Sequence, residues 1–104
     1  MFLSSVEQQL KKLRIEIDSI DAEIVKLLNK RAQFANKIGE IKRAHGLPVY
    51  VPEREEQVIA NVCKNNPGPL SAEAISRIYE RIIDESRRLE REEMERRKNK
   101  RENE

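Results

Sequence analysis

A chain of 104 residues, 38% hydrophobic, 38% charged and only 4% aromatic, has room for one small helix-rich domain with a thin core of its own, for which oligomerisation is the natural remedy. Its 21 basic and 19 acidic residues nearly balance at +2, so no face is built for nucleic acid or an anionic membrane. A single cysteine, Cys63, excludes an internal disulfide and suits the cytoplasm, and the sequence has neither a signal peptide nor a charge-free apolar run of membrane-spanning length.

The first predicted element is one long helix from Ser4 to Gly46. Apolar residues recur at spacings of four and three: Val6, Leu10, Leu13, Ile17, Ile20, Ile24, Leu27, then Phe34, Ile38 and Ile41. Ser4 with Glu7, or Ser5 with Gln8, offers a capping box, and Gly46 followed by Pro48 closes the other end. About 40 residues at 1.5 Å each make a rod of roughly 60 Å, which a chain this short cannot wrap by itself. The seam is therefore expected to be an interface with a second copy of the chain.

One position of that seam is Arg31, where a leucine would otherwise pack. An unpaired buried charge costs several kcal/mol, so this guanidinium is expected to meet an anion. Lys42 lies three turns further on, roughly 16 Å along the axis and on nearly the same side, so the two cations can close on one small anion. Arg14 is roughly 25 Å from Arg31 and about 42 Å from Lys42. It joins them only if a second helix crosses antiparallel near Val25, which creates two equivalent composite sites per dimer.

The loop from Leu47 to Val51 contains Pro48, and Pro52 is suited to the first position of the second helix. That helix is predicted over Pro52 to Lys64, with Val58, Ile59 and Val62 as its apolar face, Glu55 on the same side and Arg54 flanking it. Asn65-Asn66-Pro67-Gly68-Pro69 is a dense turn signal. Ser71 is the expected N-cap of the third helix, whose stripe is Ile75, Ile78, Tyr79, Ile82, Ile83, Ser86 and Leu89, with Glu90 one turn beyond Ser86. Residues 91–104 keep strong helix formers but lose the stripe, and are expected to extend the helix into solvent and fray toward Glu104.

Arg14, Arg31, Lys42, Arg54, Glu55, Ser86 and Glu90 are thus polar residues on apolar faces. Any one of them alone is accounted for by a long side chain reaching solvent from the rim of a core. Together they supply several cations, one or two carboxyl groups and a hydroxyl. The only histidine, His45, sits at the helix end, and no metal-ligand cluster or nucleophile with an adjacent base is apparent. The chemistry that remains is binding of a small polyanion and electrostatic stabilisation of a transition state in which charge has moved.

Leu13-Arg14-x-x-Ile17-Asp18-x-Ile20-Asp21, then Leu27-Leu28-x-x-Arg31, Ile38-Gly39-x-x-Lys42, Pro48-Val49-Tyr50-x-Pro52-x-Arg54-Glu55 and Ile82-Ile83-x-x-Ser86-x-x-x-Glu90 closely resemble the all-helical class of chorismate mutases. The resemblance covers about residues 6 to 90 and is spread over all three helices. It implies an all-α fold of one very long, one short and one medium helix, paired as an intertwined homodimeric bundle. The domain would span residues 1–90, with 91–104 as a charged extension. The implied activity is conversion of chorismate to prephenate by a concerted rearrangement without a cofactor or metal.

Carried over by position, the resemblance implies that Arg14 from the second copy and Arg31 hold the substrate carboxylates. Lys42 would contact a carboxylate and the ether oxygen, Arg54 would add positive field, Glu55 would accept from the ring hydroxyl, and Ser86 would lie at a carboxylate on the far wall. Glu90 would face Lys42 across the ether oxygen; some relatives carry glutamine there, which donates at any pH. Val51 stands at a substrate-side position where many relatives have an aspartate that caps the second helix, and valine is a poor cap, costing about 1 kcal/mol. Isochorismate pyruvate lyase resembles the same fold and shares the cationic positions, and Glu55 favours the mutase over it. A non-enzymatic helical dimerisation module is the alternative of a different class. Both a stand-alone domain and a piece of a fusion with another aromatic-pathway enzyme are compatible with the sequence.

Overall fold

The computed structural model describes residues 2–103. They form three α-helices, α1 (Phe2–Ala44), α2 (Pro52–Lys64) and α3 (Ala72–Glu102), with no strand among the described residues. The chain divides into two compact units, one within α1 up to Arg31 and the other from Ala32 onward.

The first unit is helix alone. Its apolar seam is uncovered: Leu13 is 62% exposed, and Ile17, Ile20, Ile24 and Leu27 are exposed as well. The helix runs through Ser4 and Ser5 rather than starting at them. No breaker precedes the two serines, and a serine inside a helix costs only a few tenths of a kcal/mol, so the expected capping box has no end to cap.

The second unit contains the last turns of α1 together with α2 and α3. Gly46 ends α1 at φ 64°, with Leu47 N donating to Lys42 O at 2.8 Å and Gly46 N to Arg43 O at 3.3 Å. This is the glycine-closed motif that satisfies the last carbonyls of a helix. Pro52 opens α2 behind Val51, whose backbone is extended and whose side chain makes no capping bond. Backbone bonds from Arg54 N and Glu55 N to Val51 O do the starting instead. We expect Val51→Asp to stabilise the protein by about 1 kcal/mol by supplying the missing acceptor; an unchanged thermal midpoint would show that the α2 terminus is not limiting.

Asn66 shapes the α2–α3 turn by accepting from Gly68 N at 3.0 Å and donating to Leu70 O at 2.7 Å. Ser71 Oγ then caps α3, accepting from Ala74 N at 3.1 Å. The helices α2 and α3 pack together through half-buried Val58, Ile59 and Val62 on one side and Ile75, Tyr79 and Ile82 on the other. Ile83, 8% exposed, is the buried apolar side chain among the described residues. Ile78, expected in the same stripe, is 47% exposed, because at about 100° per residue it lies at the edge of the stripe, on the side away from Ile83. No helix of the described residues is long and apolar enough to cross a membrane.

Candidate active site

The second unit brings Lys42 and Glu90 together. Glu90, on α3, lies against the backbone of α1 at Gly39: a Cβ built on Gly39 would be 3.2 Å from Glu90 Oε1 and 3.2 Å from Arg43 Nη1. Burial on this seat raises the pKa of the Glu90 carboxyl above its ordinary value, against the opposing fields of Arg43 and then Lys42. Loss of hydration therefore outweighs two nearby cations. Lys42 is half-buried and donates from Nζ to Val49 O at 3.3 Å, which ties it to the loop before α2. An ammonium has three donors, so this one bond does not exhaust it.

Glu55 lies on the α3 side of α2, where Arg87 Nη2 reaches it at 3.3 Å. The same guanidinium pairs with Asp84 at 2.8 Å and stacks over the Tyr50 ring at 5.4 Å. Ser86 Oγ donates back to Ile82 O at 3.1 Å. Arg54 is exposed and donates to Gln57 Oε1 at 2.7 Å along its own helix. Arg14 and Arg31 belong to the first unit, Arg14 exposed and Arg31 half-buried.

Two cations at this site escape the sequence reading. Arg43 follows Lys42 directly, and a helical-wheel argument that turns Lys42 toward the site turns its neighbour away. The guanidinium is long enough to come back over Gly39. In the sequence Arg87 has acidic neighbours at i−3, Asp84, and at i+3, Glu90, spacings typical of surface pairs; its contact with Glu55 depends on how α2 docks on α3.

Chemically, the arrangement offers a carboxyl group that resists ionisation beside fixed positive charge. Such a pair can donate a hydrogen bond to an oxygen and at the same time stabilise negative charge growing on it. Among the described residues, no group of three or more His, Cys, Asp or Glu side chains is placed to hold a metal ion.

The family model for chorismate mutase type II matches residues 13–91, a span that takes in every one of these side chains. The chain belongs to the chorismate mutase type II family. It is 46% identical over 80 residues to the bifunctional chorismate mutase/prephenate dehydratase of Aquifex aeolicus (strain VF5), covering 73% of this chain and 22% of that protein. The chain spans between 21% and 25% of the length of the first curated relatives that it matches. Among solved structures it is similar to a chorismate mutase of Thermus thermophilus, at 36% identity and a TM-score of 0.78, covering 80% of this chain and 94% of that one. A chorismate mutase of Helicobacter pylori, solved in complex with prephenate, is 31% identical with a TM-score of 0.78, covering 85% of this chain and 96% of that one. All-helical architecture and family membership thus agree with the resemblance carried by the motifs.

Proposed function

We propose that this chain is a chorismate mutase, rearranging chorismate to prephenate in a cationic site shared by two copies. The observation that carries the reading is the Glu90 carboxyl, seated on Gly39 and biased toward its protonated form beside Lys42 and Arg43. The reaction is unimolecular, so the protein needs only to hold the compact reactive conformer and to complement the charge that develops as the ether bond breaks. Lys42 and protonated Glu90 serve the ether oxygen. Arg31 and Arg14 of the second copy hold the two carboxylates, with Arg54 adding positive field and Ser86 at the far wall. Glu55 takes the ring hydroxyl, near the Val51 end of α2, and does so while braced by Arg87.

The second copy is supported by the uncovered seam of α1, since soluble monomers rarely expose so long an apolar stripe. An antiparallel pairing covers it and delivers Arg14 to the other chain's site. The reading carries with it a cytoplasmic location, for which the lone thiol of Cys63 is the support. Family membership favours the mutase over the lyase and over a module without activity.

Product analysis tests the proposal. Purified protein given chorismate is expected to yield prephenate alone, and given isochorismate to release no pyruvate. Pyruvate from isochorismate with no prephenate from chorismate would transfer the assignment to the lyase; inertness toward both would support the module.

A further inference from the structure

We propose that Gly39 and Arg43 form a positioning clamp for Glu90: the absent side chain at Gly39 gives the carboxyl its seat on α1, and Arg43, packed on the same seat, sets the pH above which the proton is lost. The glycines separate into two kinds. Gly46 and Gly68 have φ of 64° and 78° and open space where a Cβ would go, so they serve the backbone. Gly39 is the opposite case, a buried residue inside α1 at a position where any residue could adopt the backbone.

A glycine in a helix interior is intrinsically unfavourable, and its compensation here is room. A Cβ would meet Arg43 Nη1 at 3.2 Å, Glu90 Oε1 at 3.2 Å and Glu90 Cδ at 3.5 Å. Cation and carboxyl therefore converge on one methyl-sized space. Arg43 Nη1 is buried without a hydrogen-bond partner. It acts on Glu90 through its field rather than through a bond, which leaves the carboxyl free to titrate instead of fixing it as an anion.

The charged groups acting on Glu90 are Arg43 and Lys42, both from α1, with Arg43 the stronger. Lys42 is partly committed to Val49 O. On α3 the residue one turn earlier is Ser86, whose hydroxyl turns to Ile82 O, and from α2 Glu55 is engaged by Arg87. Arg43 never loses its charge in the working range, so it is a constant setting on the titration of Glu90. It is a positioning residue, acting on the reaction through Glu90. Its catalytic consequence rests on the mutase reading; the clamp itself does not.

The test is a carbon-13 NMR titration of the Glu90 side-chain carboxyl in the full chain, with Glu90→Gln used for assignment, alongside pH profiles of turnover. Arg43→Met is expected to raise the Glu90 midpoint by about one pH unit, and Arg43→Lys to restore most of the parental value. The alkaline limb of turnover should move with the midpoint. Gly39→Ala is expected to keep or raise helicity and melting temperature while kcat falls by on the order of tenfold, because the carboxyl is displaced by a few tenths of an ångström. A Glu90 midpoint unmoved in Arg43→Met, or parental kcat and midpoint in Gly39→Ala, overturns the clamp. If the midpoint shifts while the parent itself rearranges no chorismate, the clamp stands and the mutase reading falls.

Discussion

Mixing Arg14→Ala chains with Arg31→Ala chains is expected to restore about a quarter of parental activity, although each variant alone loses about a hundredfold or more. The apolar seam of α1 is uncovered. Its leucines and isoleucines are exposed along a helix of 43 residues, and Arg14 stands exposed on the same helix. In the proposed dimer, a second copy laid antiparallel would cover the stripe and carry its Arg14 to the level of the gap between Arg31 and Lys42. Each variant homodimer then has two damaged sites. A heterodimer concentrates both lesions in one site and leaves the other intact, and random exchange makes half the dimers heterodimers, hence the quarter. Native mass spectrometry of differently tagged chains verifies the exchange. Verified exchange with no recovery would mean that Arg14 works within its own chain or takes no part in the site.

The elements whose ends are set by local chemistry were legible in the sequence. Pro52, Lys64, Ser71 and Gly46 fall where caps and breakers put them, because a proline nitrogen or a serine oxygen acts within three or four residues of itself. The start of α1 was not legible: Ser4 has the chemistry of a cap, but nothing before it stops the helix. Of the candidate site, Lys42 and Glu90 were readable from their places on helical stripes. Their seat was not, because the importance of Gly39 lies in what α3 lays upon it. Arg87 was missed for the same reason, since its pairing with Glu55 crosses from α3 to α2. Arg54 flanks the apolar face of α2 as its position implies, with its guanidinium on Gln57 one turn away on the exposed side.

Glu90→Gln is expected to remove the alkaline fall in turnover and to equal or exceed the parent above neutrality, while Glu90→Ala loses about a hundredfold at every pH. The sign follows from the environment. Burial raises the Glu90 pKa, and the fields of Arg43 and Lys42 reverse that only in part. A carboxyl that donates to the ether oxygen works only while protonated, so parental turnover falls as pH rises through its pKa in the complex. Glutamine keeps a donor at every pH and nearly the same shape. The same raised pKa acts on stability: the folded chain holds the proton more tightly than the unfolded one, so this contribution is complete below the ordinary glutamate pKa and is lost as pH rises through the folded value. Melting temperature followed against pH should therefore decline less steeply toward neutrality in Glu90→Gln than in the parent. Arg43 and Lys42 are still present in the variant, so any difference between the two profiles belongs to the proton on Glu90 rather than to the cations around it. Superimposable turnover profiles of parent and glutamine variant would remove Glu90 as the donor and leave the ether oxygen to Lys42.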